Sequence, residues 1–228
     1  MLHFQKEIPI EKIVYTRRKS IALHITENAT LVIRAPYFTP QSIIKDVVGR
    51  HYKWIVKKRN EILKLKSYRP LAKFIDGEKY LYLGKYFELE IINTQSNKLV
   101  FNGKFFLSKS LLSRARKMFI QWYIDRAQEI IPKRLSELAS ENNFQYYKVR
   151  ITRAEKRWGS CSSKGNLNFS WRLVMASPKV IDYVIIHELV HLEIKNHSKK
   201  FWTKVKSLMP EYKQQQQWLK TNQYEMLL

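Results

Sequence analysis

The chain has 228 residues, of which 45% are hydrophobic, so it can bury a sizeable core and is too apolar to be disordered. Its 42 Lys and Arg residues against 19 Asp and Glu give a formal net charge of +23, which predicts attraction to polyanions such as nucleic acid or nucleotides. The single cysteine, Cys161, excludes an internal disulfide, and neither a signal-peptide pattern nor a membrane-length apolar run is present, so we expect a cytoplasmic protein that does not span a membrane.

The N-terminal part is predicted to be rich in β-structure. A strand is expected over 12–16, and alternating apolar residues predict a half-buried hairpin over 21–34 with its turn at 27–30. Thr39-Pro40 then opens a helix that we expect to run to about Ser67. Nine Lys or Arg residues lie between Lys45 and Arg69 against two acidic residues, so this helix is the expected contact surface for a polyanion.

A second group of strands is predicted over 79–107, with hairpin turns at Gly84-Lys85 and Asn102-Gly103. The composition changes near Ser108, where a long helix is expected to begin and to run to about Asn142. Pro132 lies inside this helix and is expected to kink it or split it in two. We therefore divide the chain into a β-rich N-terminal region with a basic helix, residues 1–107, and a second domain, residues 108–228.

The second domain continues with a strand over 146–154, a loop over 155–165 and a short strand over 166–171. Ser177-Pro178 then indicates a helix start, with Ser as N-cap and Pro in the first turn. Apolar residues cover most of the circumference of this helix, so we place it in the centre of a core. Strands and helices in this order predict an α+β protein.

The central helix carries His187-Glu188-Leu189-Val190-His191. Side chains four positions apart lie one above the other on a helix, so the two histidines can bind one metal ion. Glu188 lies about 100° round from His187, where it can reach a water on the metal without being a ligand. Two imidazoles and a carboxylate are costly in a core unless something compensates them, and a divalent cation does so.

Two residues compete as the third ligand. His197 follows Lys195-Asn196, which can end the helix and turn the chain back toward the metal. Its interval from His191 is that of the metzincin pattern, but Ile194 stands where that pattern has glycine. Glu211 would instead give a His2Glu site, although its position after Pro210 also suits the first turn of a helix. We favour His197.

Five stretches of the sequence carry a family resemblance, namely Arg157 to Ser162, Ile181 to Leu192, Asn196 to Trp202, Asp76 to Glu78 and Tyr82 to Lys85. Together they resemble the YgjP-like metal-dependent hydrolase family, which is related to the SprT-like and WLM zinc metallopeptidases, the minimal zincins. The resemblance spans nearly the whole chain and implies a compact zincin-like catalytic domain over 108–228. It also implies that His187, His191 and His197 bind one zinc ion per chain and that Glu188 is the catalytic base.

Our leading hypothesis is a zinc metallopeptidase that acts on peptides or proteins through a metal-activated water, with Glu188 as general base. Arg157 and Asn168 are candidates to border the site or contact substrate. A first alternative is a metal-dependent nucleotide phosphohydrolase of the nucleoside triphosphate pyrophosphohydrolase type, although no Gly-rich phosphate loop is present. A second alternative is a basic nucleic-acid-binding protein with a structural zinc, which an intact Glu188 beside three ligands disfavours.

Overall fold

The computed structural model describes residues 9–26, 28–67, 72–154 and 157–228, and of residues 64–67 it describes the backbone alone. The chain divides into two compact units, Met1–Arg69 and Pro70–Leu228. Strands and helices occur in both, which confirms the α+β class. Within the described ranges, no helix combines the length and the apolar character that a membrane crossing requires.

The first unit is a three-stranded sheet with two helices. Its elements are β1 (Ile10–Thr16), β2 (Ala22–Ile25), β3 (Leu31–Pro36), α1 (Gln41–Arg50) and α2 (Tyr52–Ser67). The predicted hairpin is confirmed, with β2 antiparallel to β3, and β1 adds parallel to the other side of β3. Glu27, one of the predicted turn residues, lies outside the described residues. The core consists of side chains from β2, β3, α1 and α2, namely Ile25, Leu31, Ile33, Ala35, Ile44 and Ile55.

The single helix predicted over 39–67 is wrong, because the structure has two helices there. His51 leaves the helical conformation with φ −99° and ψ 7°, and its ring Nδ1 lies 2.9 Å from the carbonyl oxygen of Val47. Gly49 weakens the last turn of α1, since glycine loses more backbone freedom in a helix than any other residue. Arg69 and the side chains of Lys64 and Lys66, which belong to the predicted basic surface, lie outside the described residues.

The second unit contains two sheets, a long helix and a central helix. Its elements are β4 (Lys79–Tyr82), β5 (Lys85–Ile92), β6 (Val100–Phe101), β7 (Phe105–Ser108), α3 (Ala115–Glu141), β8 (Lys148–Thr152), β9 (Gly159–Cys161), β10 (Asn166–Ser170), α4 (Pro178–Glu193), α5 (Lys199–Leu208) and α6 (Tyr212–Asn222). Strands β4 to β7 form one sheet in the order β4-β5-β7-β6, and β8 to β10 form another in the order β8-β10-β9.

The sheet β4-β5-β7-β6 packs on α3 and shares its core. The ring centroids of Tyr80 and Phe119 lie 4.2 Å apart, and those of Phe105 and Trp122 lie 4.9 Å apart. The buried hydroxyl of Tyr123 also donates to the carbonyl oxygen of Leu81 at 2.7 Å. Along the chain, the division between the two compact units falls at 69/70, whereas the sequence analysis placed a domain boundary after Leu107.

The long helix α3 runs without interruption from Ala115 to Glu141, preceded by a 3₁₀ helix over Lys109–Arg114. Pro132 lies within it, so the predicted split into two helices does not occur. Its partner α4 is held through a charged pair, in which the guanidinium of Arg134 donates to both carboxylate oxygens of Asp182 at 2.7 and 3.0 Å. This bidentate contact fixes the first half of α4 against α3.

The start of α4 is anchored by the β4-β5 hairpin. The amides of Leu83 and Gly84 donate to the carbonyl oxygens of Val174 and Met175 at 2.9 and 3.0 Å. Gly84 has φ +78°, and a Cβ there would lie 2.7 Å from the Cβ of Ser177, the N-cap residue of α4. Only glycine permits this approach. The predicted helix start at Ser177 is confirmed.

Candidate metal centre

The three predicted histidines converge on one point. The helix α4 carries His187 and His191 one turn apart, and it ends at Glu193. The chain then turns back before α5, whose N-cap Ser198 accepts a hydrogen bond from the amide of Phe201 at 3.4 Å. The Nε2 of His197 consequently lies 3.0 Å from that of His187 and 3.1 Å from that of His191.

This geometry fits a zinc ion. Tetrahedral zinc with Zn–N distances of about 2.0–2.1 Å places its nitrogen ligands about 3.3 Å apart, close to the separations here. Among the described residues, a search for clustered His, Cys, Asp and Glu side chains identifies this trio, whose potential ligand atoms all lie within 4.8 Å of one another. Glu211, the competing third ligand, is exposed just before α6 and does not belong to the trio.

The surroundings of His187 and His191 favour the neutral imidazole, which is the form that binds a metal. Burial, followed by the neighbouring His191 and His197, lowers the pKa of His187 to about 3, and burial also lowers the pKa of His191. The Nδ1 of His191 lies 2.9 Å from the carbonyl oxygen of Ile194. Because a carbonyl can only accept, Nδ1 carries the hydrogen and Nε2 keeps its lone pair for the centre of the trio.

Two aromatic residues of α5 support these rings. Phe201 is fully buried, and its ring centroid lies 4.5 to 4.9 Å from those of His187, His191 and His197. Trp202 stacks on the His197 ring at 5.6 Å with an interplanar angle of 21°. The sequence analysis assigned neither residue a role of its own. Both contact the imidazole rings, and these contacts are not visible in the sequence pattern.

Glu188 is buried beside the trio, with 5% of its surface exposed. Burial raises the pKa of its carboxyl to about 7, while the charge of Arg157 acts to lower that pKa. Its Oε2 has no hydrogen-bond partner among the described residues. A buried carboxylate with an unpartnered oxygen next to three convergent imidazoles can accept a proton from a water bound there.

Gly159 of β9 makes room for this carboxyl. A Cβ at that position would lie 2.6 Å from both Cγ and Oε1 of Glu188. The strand β9 lies within the segment that we predicted to be a loop, whose residues 155 and 156 lie outside the described residues. The glycine is visible in the Trp-Gly-Ser-Cys sequence. The reason for a glycine there, which is the close approach of Glu188 on α4 to β9, is seen only in the structure.

The remaining candidate residues lie at different distances from the centre. Arg157 is exposed and acts on Glu188 through its charge. The side-chain amide of Asn168 donates to Ser160 Oγ at 3.2 Å, and the two residues are register partners, on the strand face opposite to that of Gly159. The structure therefore does not bring Asn168 to Glu188. Burial raises the pKa of the Cys161 thiol, which disfavours a reactive thiolate.

A cavity of about 300 Å³ opens beside the centre. His187 and Glu188 line it, together with Tyr183 and Val184 of the same helix. The other lining residues are Trp158, Gly159 of β9, three residues of α6 and the residue that follows α6, namely Gln216, Leu219, Lys220 and Gln223. A substrate group bound next to the imidazole trio can therefore extend into this space.

The family model of the YgjP-like metallopeptidase domain matches residues 19–222. The match defines the class of the protein as a metal-dependent peptidase. The chain belongs to the YgjP-like family. This agrees with the resemblance stated from the motifs.

Two crystal structures of metallopeptidase zymogens are similar to part of the chain. Abylysin of Pyrococcus abyssi is 23% identical, with 41% of this chain and 94% of that chain covered and a TM-score of 0.38. Jannalysin of Methanocaldococcus jannaschii is 21% identical, with 40% and 95% covered and a TM-score of 0.37. No curated protein matches the chain.

Proposed function

We propose that this metallopeptidase is a zinc enzyme in which His187, His191 and His197 bind one zinc ion and Glu188 is the general base. The observation that carries the proposal is the convergence of three Nε2 atoms, two pairs at 3.0 and 3.1 Å, beside a buried carboxylate. A bound zinc ion supplies Lewis acidity and lowers the pKa of its water to ~7.

Glu188 takes the proton from the attacking water and later delivers it to the leaving amine. Its burial and its pKa of about 7 suit both steps, because a group that titrates near neutral pH can accept and return a proton. The carboxyl is held between α4 and Gly159, so its direction is fixed before substrate arrives.

The strand β9 is proposed to align an extended peptide. It lies at one edge of the sheet β8-β10-β9. Trp158 accepts from the amide of Ser170 at 2.8 Å, and the amide of Ser162 donates to Asn166 at 2.9 Å. Because hydrogen-bonding directions alternate along an antiparallel strand, the backbone groups of the intervening Gly159 point away from β10, toward the side where a peptide would pair.

Phosphate-ester hydrolysis, the alternative with nucleotides as substrates, is less well supported. Binding a triphosphate calls for several cationic side chains or a Gly-rich loop. Lys220 is the one Lys or Arg among the described residues that line the cavity beside Glu188. This charge distribution favours a peptide.

Metal analysis and turnover test the proposal together. We expect about one zinc per chain, lost on His187→Ala, His191→Ala or His197→Ala and retained on Glu211→Ala. If zinc is retained in His197→Ala and lost in Glu211→Ala, the third ligand is Glu211 and not His197. Glu188→Gln is expected to retain zinc and to abolish peptide hydrolysis, since the nearly isosteric amide cannot accept the proton. Unchanged turnover in this variant would disprove the general-base role.

We propose in addition that the basic helices of the first unit bind a polyanion such as nucleic acid. Lys53 and Lys57 are exposed and lie one turn apart on α2. DNA binding is expected to weaken steeply between about 50 and 200 mM salt and to be lost on reversing both lysines to Glu, with zinc content unchanged. If the parent shows no salt-dependent binding, this partner is excluded.

A further inference from the structure

The cavity beside the metal centre has the chemistry of a side-chain pocket. His187 and Glu188 are among its lining residues, so a peptide bond held at the imidazole trio would place a neighbouring side chain within reach of it. Its wall is mainly apolar, formed by Trp158, Val184 and Leu219 together with the ring of Tyr183. Contact with such a wall stabilises an apolar side chain by removing its surface from water.

Two contacts hold side chains of the cavity wall in place. The guanidinium of Arg172, a residue with 5% of its surface exposed, lies 4.8 Å from the ring centroid of Trp158. Across the cavity, the Gln216 side-chain amide donates to the hydroxyl of Tyr183 at 3.3 Å. The first contact holds Trp158 against the segment that follows β10, and the second links α6 to α4. Both favour a preformed pocket over one that must be built by the substrate.

The charge of the lining discriminates between side chains. Apart from Glu188, none of the described residues that line the cavity is acidic, and Lys220 of α6 adds a positive charge. A lysine or arginine side chain would meet Lys220 with no carboxylate to pair with it except the catalytic one. Lys220 is exposed, so solvent weakens its field, but like charges at contact distance still repel and basic side chains are disfavoured.

We propose that this cavity receives a large uncharged side chain, aliphatic or aromatic, of the substrate residue next to the scissile bond, and that Lys220 makes it reject basic side chains. The inference rests on the proposed peptidase function, because it assigns the substrate class of the same site. It makes Lys220 a specificity-determining residue that takes no part in the chemical step.

The first test maps cleavage preference. The zinc-loaded full chain is incubated with a peptide mixture, and the cleaved bonds are identified by mass spectrometry. Phe, Leu and Met are expected to be enriched at one of the two positions that flank the cleaved bond, with Lys and Arg depleted there at least fivefold. Lys220→Glu is expected to remove the depletion, whereas Lys213→Glu, an exposed charge reversal on the same helix, is expected to preserve it.

The second test needs no turnover. The indole resonance of Trp158, assigned with Trp158→Phe, is followed by NMR during addition of N-acetyl-phenylalaninamide or N-acetyl-argininamide. The phenylalanine amide is expected to shift the Trp158 resonance, and the arginine amide is expected to leave it unchanged. In Lys220→Glu, the arginine amide is expected to shift this resonance as well.

The outcomes separate the two proposals. Binding of the phenylalanine amide without hydrolysis of any peptide would retain the pocket and remove the peptidase function. Hydrolysis with the same depletion of Lys and Arg in Lys220→Glu, or with no preference at either flanking position, would overturn the pocket and retain the peptidase function.

Discussion

The substitution Gly159→Ala tests whether the position of Glu188 is set by β9. The added Cβ would lie 2.6 Å from Cγ and Oε1 of Glu188 and 2.9 Å from its Cδ. Non-bonded carbon atoms are most stable about 3.5–4.0 Å apart, so the carboxyl must retreat by about 1 Å. The φ angle of Gly159 lies outside the left-handed region, so alanine is compatible with the backbone and the clash alone is measured.

A displacement of about 1 Å at a catalytic group can cost ~10²-fold in rate, which corresponds to about 2.7 kcal/mol in the activation free energy. Overpacking is expected to lower the free energy of unfolding by about 1–3 kcal/mol. Zinc content is expected to be unchanged, because the three atoms nearest to the added methyl group all belong to Glu188, which is not a proposed ligand. The loss should therefore appear in kcat/KM and not in metal analysis.

The assay compares kcat/KM on one peptide substrate, zinc content and thermal unfolding for the parent and for Gly159→Ala. Ser160→Ala is the matched control, since its side chain lies on the opposite strand face and contacts Asn168. The control should keep its activity within a factor of two or three. A Gly159→Ala variant with parental kcat/KM would refute the argument that β9 positions the carboxyl.

Three further substitutions probe the surroundings of the centre. Trp202→Leu removes the ring stacked on His197, and a chelator competition should show zinc binding weaker by about 10-fold, because the imidazole loses a contact that orients it. Arg134→Met leaves the largely buried carboxylate of Asp182 without its bidentate partner, and denaturant unfolding should show a loss of about 1–3 kcal/mol. Glu188→Gln should raise the melting temperature of the zinc-free protein at pH 8, because the amide removes a buried charge, and an unchanged or lower value would contradict this.

The sequence predicted best those features that arise within one continuous segment. The helical period aligned His187 with His191, and Ser177-Pro178 marked the start of their helix. The turn at Asn102-Gly103 joins β6 to β7 as its residue types indicated, with the amide of Asn102 bonded to the Lys104 carbonyl oxygen at 3.0 Å. These features depend on local backbone preference, which a single sequence carries.

Features that depend on contacts between distant segments were not predicted. The strand β9 has three residues, Gly-Ser-Cys, and therefore no hydrophobic alternation by which to recognise it. The aromatic cluster of Tyr80, Phe105 and Phe119 joins the second group of strands to α3 across the composition change near Ser108, where we had placed a domain boundary. The position of Phe201 against all three imidazoles likewise follows from the turn after α4.

The site carries polar groups that the fold itself does not satisfy. His187 Nδ1 and Glu188 Oε2 are both buried without a hydrogen-bond partner among the described residues, on a helix whose other buried side chains are almost all apolar. Such groups cost stability and are rare in cores. Hydrophobic residues at these positions would pack in α4 without that cost, so stability alone does not account for this pair. A zinc ion bound at Nε2 would not contact Nδ1, but its binding free energy, together with a water beside the Glu188 carboxylate, would offset the cost of burying this pair. For this reason we propose that the two side chains are retained for catalysis.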